Sequence, residues 1–252
     1  MLLVSLVVVL REVLEASVTL ALLFVVGRQV GLGRHWVPAG LALGAALARL
    51  LAGNFEQIAA WQDGVGQELL NSVLSVLVFL GLACLCQWQG NPARRQHMMV
   101  VMTAVFTMTT TREGAELLLY YSAFSADPYS LRTALLGGAM GVGIGLSLGV
   151  VCYYTLIQLS RTVRQHGTRL WLALFGAGIL SQGVQMLQQA DWLPAQPALW
   201  DSGWLIPEHE LAGQLLYALF SYEATPSALQ LVVWLAGMTL LWLLPMRRWR
   251  SA

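Results

Sequence analysis

Apolar runs long enough, at roughly 20 residues each, to cross a bilayer recur along this 252-residue chain, with short polar connections between them. Seven spans are predicted, at about 2–27, 37–53, 68–88, 98–124, 132–158, 169–190 and 211–245. The fold class is therefore all-α, a polytopic membrane protein. The first run has no basic n-region and carries Arg11 and Glu12 where a leader would be apolar, so it reads as a membrane helix and not a signal peptide. The last run is too long for one straight crossing. Tyr222-Glu223-Ala224-Thr225-Pro226-Ser227 interrupts it, and Pro226 predicts a bend that could turn Glu223 toward a pathway.

Loop charge orients the chain. Arg28, Arg34 and His35 follow the first span, and Arg94, Arg95 and His97 the third. Arg161, Arg164, His166 and Arg169 surround the fifth-to-sixth turn, and Arg247, Arg248 and Arg250 end the chain. The other connections carry Glu56 and Asp63, then Asp127, then Asp191, Asp201, Glu208 and Glu210. Only Arg132 breaks the alternation, and Arg49 reads as snorkelling to the outer surface. The positive-inside rule then puts the N-terminus outside and the C-terminus in the cytoplasm. Trp36, Trp61, Trp88, Trp171, Trp192 and Trp249 fall near span ends and read as interface anchors.

Two features recur. Spans one and four share the pattern R-E-x-x-E, as Arg11-Glu12-Val13-Leu14-Glu15 and Arg112-Glu113-Gly114-Ala115-Glu116. Spans two and five carry small residues every four positions: Gly40, Gly44, Ala48 and Ala52, then Gly137, Gly141, Gly145 and Gly149. Such ridges let another helix backbone approach closely. The chain thus reads as one domain, 1–252, made of two inverted three-helix repeats (about 1–90 and 91–190) and a broken seventh span (about 211–245).

Composition narrows the class. Hydrophobic residues make up 57% of the chain and charged ones 11%, which excludes a soluble domain and makes the placement of each charge informative. All fourteen basic residues are Arg. They sit in short loops without a continuous basic face, which disfavours nucleic acid as a partner. Cys84, Cys86 and Cys152 lie in apolar runs and read as inert, packed thiols.

Within each motif the two glutamates lie three apart, on one helix face, and the arginine lies four before the second glutamate, in pairing range. Charge near the middle of a span costs at least a few kcal/mol and normally faces a bundle interior or a wet cavity. If the two helices pack together, four carboxylates converge with two guanidiniums. Carboxylate oxygen suits hard cations, whereas imidazole and thiolate suit zinc and copper. With no His or Cys in either motif, iron is favoured, ahead of manganese, magnesium and calcium. The scattered Met98, Met99, Met102 and Met108 read as packing, not as a Cu(I) path. Thr107, Thr109, Thr110 and Thr111, just before the second motif, could be ligands or could bond backbone carbonyls. Arg–Glu pairs can also act only as helix locks, which leaves an anchoring membrane subunit as an alternative. So does an intramembrane iron-binding oxidoreductase, although its usual E-x-x-H is absent. A carrier of another divalent metal such as manganese is the third.

Two R-E-x-x-E motifs in the first and fourth of seven spans resemble the oxidase-dependent iron permease family, which comprises the fungal high-affinity iron permeases and bacterial EfeU-type transporters. The resemblance covers essentially the whole chain. It implies that Glu12, Glu15, Glu113 and Glu116 bind and pass iron, with Arg11 and Arg112 supporting, and that Glu68 at the outer start of span three lies on the pathway. Iron would be the transported substrate, with no permanently bound cofactor, in the bacterial cytoplasmic membrane. The resemblance further implies a separate periplasmic ferroxidase that hands over ferric iron. The acidic outer segment with Asp201, Glu208, His209 and Glu210 is the candidate acceptor. Oligomeric state is not specified by anything in the sequence.

Overall fold

The computed structural model describes residues 1–88, 91–208 and 210–244, the side chains of Pro92 and Arg161 excepted. The described residues form helices α1 (Leu2–Gln29), α2 (Trp36–Gly53), α3 (Phe55–Ala59), α4 (Gly66–Trp88), α5 (Arg95–Ser122), α6 (Pro128–Gln158), α7 (Arg161–Gln189), α8 (Leu211–Phe220) and α9 (Ala228–Leu243). Four helices, α2, α4, α6 and nearly all of α7, are long and apolar enough to cross a membrane by length and composition. Helices α1 and α5 are each 28 residues long, ample for a crossing, and carry the motif charges in their interiors. His209, Trp249 and the C-terminal Arg247, Arg248 and Arg250 lie outside the described residues.

Local chemistry sets the helix ends. Asp127 caps α6 by accepting from the amides of Tyr129 and Ser130, with Pro128 in the first turn. Ser227 and Gln230 form a reciprocal capping box at the start of α9. Gly31 turns the α1–α2 connection with φ +68°. The sequence boundaries need three changes. Helix α6 begins at Pro128 and α7 at Arg161, both earlier than predicted. The link between α2 and α4 contains the short α3 and a one-turn 3₁₀ segment, Trp61–Gly64, with Gln62 and Asp63 in the left-handed region. Trp36 is buried against Phe24 and Phe106 rather than anchoring at the interface, whereas Trp61 and Trp192 are exposed.

The main helix pairs are reciprocal. Helix α1 packs on α6, α5 on α2, and α4 on α7. Each motif helix therefore lies against the glycine ridge of the other half. A Cβ at Gly141 would lie 2.7 Å from the Leu6 carbonyl oxygen, and one at Gly44 would lie 2.6 Å from Thr110 Cβ. At these two positions only hydrogen leaves room for the neighbouring helix. The motif helices hold the core, with Leu10, Leu14, Leu23, Met98 and Met102 almost fully buried. Helices α2 and α6 turn most of their side chains outward.

The seventh span is not one kinked helix. Measured against α7, Phe220 packs on Trp171, Ser221 abuts Gly178, Glu223 bonds Gln185, and Ser227 bonds Gln188. The chain thus climbs back along α7 after α8 ends. It then descends as α9, passing Ser181 at Gln230 and Ala177 at Gly237. Ser221, left-handed at φ 55°, makes the reversal. The seven non-helical residues Ser221–Ser227 reach up to about 23 Å, enough to retrace the roughly 15 Å of a ten-residue helix. Pro226 belongs to this returning strand and bends no helix. The strand's polar groups are covered by the preceding loop: Leu199 donates to the Pro226 carbonyl, and Ser202 to that of Ala224. Non-helical backbone at membrane depth requires such cover.

Candidate metal site in the helix bundle

The two motifs meet. Single carboxylate oxygens of Glu12, Glu113 and Glu116 lie within 4.8 Å of one another, which brings α1 and α5 together at the point the sequence predicts. Glu12, Glu15 and Glu113 are all buried. The space between the carboxylates is about 10 Å³, close to the volume of one water-sized probe.

The two arginines are not equivalent. Arg112 sits 2.6 Å from Glu15 and 2.6 Å from Glu113 through Nη2. Its Nη1 donates to Ser75 on α4 and Gln182 on α7, each at 3.1 Å. The sequence places Arg112 opposite Glu116, four residues on. In the structure it pairs instead with the neighbouring Glu113 and, across the helix interface, with Glu15 of the other motif. Arg11 is looser, 3.8 Å from both Glu12 and Glu15, and its guanidinium covers the Tyr217 ring of α8 at 4.7 Å. The Arg11 side chain is 33% exposed and that of Arg112 is 11% exposed.

Helix geometry orders these groups along the bundle. Glu116 accepts from Asn71 of α4 at 3.2 Å, and Arg112 bonds Ser75, one turn further along α4. Glu12 and Glu116 with Arg11 therefore lie toward the end that holds the α1 N-terminus. Glu15 and Glu113 with Arg112 lie one step deeper. Beyond them Thr19 donates to the Glu15 carbonyl oxygen. Thr111 likewise bonds back to Thr107, and the Thr109 and Thr110 hydroxyls have no partner among the described residues. Leu23, Val26, Met98 and Met102 then close the bundle with apolar side chains.

The other predicted residues are spread out. Glu68 is in the first turn of α4, three residues before Asn71 and so on its face, with Oε2 buried and unpartnered among the described residues. Glu223 accepts from Gln185 at 3.1 Å and from Gln230 at 2.9 Å, within a polar patch beside the site. Glu208 accepts from the Ala224 amide, which occupies it in holding the returning strand. Asp201 accepts from Gly203 at 2.8 Å, and Glu210 lies exposed before α8. Among the described residues only Glu12, Glu113 and Glu116 group closely enough to share an ion. Sequence reasoning missed Asn71, Ser75, Gln182 and Tyr217, all of which line the cavity. The one signal available was that Gln182 and Gln185 stand three apart in an apolar helix.

Membrane-length helices packed around a group of carboxylates have the architecture of a metal-ion permease. The model of the Iron permease FTR1 family matches residues 2–246, and the chain belongs to that family. It is accordingly a transporter rather than an enzyme, and it carries iron across a membrane. The chain is similar to the ferrous iron permease EfeU of Escherichia coli O6:H1 (strain CFT073), with 23% identity over 249 residues that cover 90% of this chain and 89% of the relative. The ferrous iron permease EfeU of Shigella sonnei (strain Ss046) is 23% identical over 248 residues, with the same shares covered. No solved structure matches the chain.

Proposed function

We propose that this chain carries iron inward across the bacterial cytoplasmic membrane on the carboxylates of its two motifs, with the N-terminus outside and the C-terminus in the cytoplasm. The observation that supports this most directly is the Glu12–Glu113–Glu116 group, three carboxylate oxygens in reach of one another, two of the residues buried and Glu116 half-buried, with no imidazole or thiolate beside them among the described residues. Hard oxygen donors select hard cations.

The four glutamates act in succession. Arg112 holds both Glu15 and Glu113 at 2.6 Å, so an arriving ion meets Glu12 and Glu116 first, by way of Glu68 and Glu223, and gains Glu113 as Arg112 swings off it. Moving deeper, it exchanges onto Glu15 as Arg112 gives way to it. Arg112 retains Ser75 and Gln182 as partners, so its release from the carboxylates leaves it hydrogen-bonded. Each station holds the ion tightly enough to select it and loosely enough to pass it on.

The delivered species is ferric iron handed over by a periplasmic ferroxidase, because a dense set of carboxylates favours the higher charge. Asp201 and Glu210, exposed on the outer loop, would receive it. A second reading, direct passage of Fe(II), is favoured by the names of the relatives, which are called ferrous iron permeases. Radiolabelled uptake in cells expressing the chain separates the two. Iron kept reduced, iron kept oxidised and excess Mn(II) are compared in wild type and Glu113→Gln at equal membrane protein. Uptake of either iron form that the variant abolishes and Mn(II) does not compete supports the carboxylate route, and the preferred form decides the species. Unchanged uptake in the variant would sink it.

A further inference from the structure

Away from the glutamates, two cavities adjoin at the C-terminal end of α1. One, of about 390 Å³, is a groove between α1 and α6 walled by Leu20, Phe24, Leu146 and Val150. Its floor is the close approach at Gly149, where a Cβ would lie 2.7 Å from Ser17. The groove's walls are apolar apart from Ser17, Arg34 and the tyrosine hydroxyls at its end. The second cavity, of about 300 Å³, lies at the α1–α2 turn and is lined by Arg28, Arg34 and the backbone of Gly31 and Gly33. Phe24, Arg34 and Tyr153 belong to both.

The junction is well braced. Arg28 donates to the Tyr153 hydroxyl at 3.1 Å, the Arg34 guanidinium lies 5.7 Å from the Phe24 ring centre, and Phe24 meets Tyr153 edge-on. Arg95 of α5 donates to the Gly31 carbonyl oxygen, which fixes the turn. Among the described residues no carboxylate lines either cavity, so Arg28 and Arg34 leave a positive charge facing an open polar space. Their partners are an aromatic ring and a phenol, neither of which neutralises them.

We propose that these joined cavities bind an anionic phospholipid, its phosphate at Arg28 and Arg34 and one acyl chain along the α1–α6 groove. The occupant is argued from shape and charge together. A free phosphate would use the polar cavity and leave the groove unexplained, and a zwitterionic lipid would leave the two guanidiniums uncompensated. Basic pockets between membrane helices on the cytoplasmic side take anionic headgroups in this way, and this is the side that the loop arginines assign to the cytoplasm. The site is separate from the iron route.

The test equilibrates purified protein in detergent with equal phosphatidylglycerol and phosphatidylcholine, then quantifies retained lipid by mass spectrometry. Wild type should enrich phosphatidylglycerol on the order of tenfold. Arg28→Gln with Arg34→Gln should return the ratio to that supplied. Val150→Trp, which fills the groove and leaves both arginines, should also lose the retained lipid. Thermal unfolding of each purified variant, measured in parallel, reports that it is folded. Equal ratios in wild type and the arginine variant would overturn the proposal. So would unchanged retention in Val150→Trp, or equilibrium binding of inorganic phosphate that displaces no lipid.

Discussion

Arg112 and Glu15 belong to different motifs, 97 residues apart, and form one of the two shortest ion pairs in the site at 2.6 Å. The second motif thus supplies a counter-charge to the first, whereas Arg11 stays with Glu12 and Glu15 of its own motif, and the site exists only when α1 and α5 are together. Glu15 lies outside the group of Glu12, Glu113 and Glu116, whose oxygens approach within 4.8 Å of one another, and Arg112 bridges the two by holding Glu113 as closely as Glu15.

That separation predicts different behaviour for two chemically identical substitutions. Glu116→Gln removes a member of the close trio and should abolish high-affinity iron binding and uptake together. Glu15→Gln should leave binding nearly intact while uptake falls at least tenfold. Equilibrium binding of labelled iron to purified protein, beside uptake in cells, reads both quantities. Equal loss of binding in the two variants would contradict a route taken in steps.

Removing Arg112 strands two buried carboxylates. Breaking a buried pair by deleting one partner costs about 3–5 kcal/mol, so Arg112→Gln should lower the thermal stability of the purified protein substantially. Arg11→Gln should do so far less, because its ion pairs are longer and its side chain is 33% exposed. A ranking in the opposite order from thermal unfolding in detergent would refute the inequivalence of the two arginines.

The glycine ridges predict a steric outcome. Gly44→Val drives its side chain into Thr110 and the Thr107 carbonyl, and overpacking of this kind costs about 1–3 kcal/mol. Gly143, with open space beyond it, should accept Val with little change. Membrane-protein yield and unfolding temperature of the two variants make the comparison.

Outside the membrane, Asp127 gives a pH-dependent contribution. The Ser130 hydroxyl, then the Tyr129 and Ser130 amides, hold its carboxyl below the usual carboxylate range. A carboxyl depressed in the folded state adds stability that is fully present above its unfolded value and fades as pH falls through the folded value. Asp127→Asn should therefore lose acid sensitivity of the α6 N-terminus, seen as amide protection at Tyr129 and Ser130, taken relative to the intrinsic exchange rate at each pH, that no longer falls in acid.

How much of this was legible beforehand depended on whether a residue stood out from its neighbours. Arg-Glu-x-x-Glu twice inside apolar runs stands out from its neighbours, and it pointed to the two helices whose carboxylates the structure brings together. The four-residue glycine spacing located the faces on which those helices lie. Asn71, Ser75 and Gln182 carried no comparable signal, because one uncharged polar side chain in an apolar helix serves packing as readily as binding. The partner of Arg112 was also hidden: spacing within one helix favours Glu116, and only the approach of α1 offers Glu15. The reversal after α8 escaped for another reason. Hydropathy stays high on both sides of Ser221, and an apolar run that turns back reads the same as one that continues.

The reciprocal seating of α1 on α6 and of α5 on α2 has a consequence for how the protein is made. Arg112 emerges from the ribosome 101 residues after Arg11, a delay of about 5–20 s at ordinary elongation rates. During that interval α1 holds Glu12 and Glu15 with neither the cation nor the glycine groove that will later receive them. Neither half can be completed first, because each is the other's template. Biogenesis must therefore shelter a charged helix until the second half arrives, and a truncated first half should be cleared as an orphan by quality control.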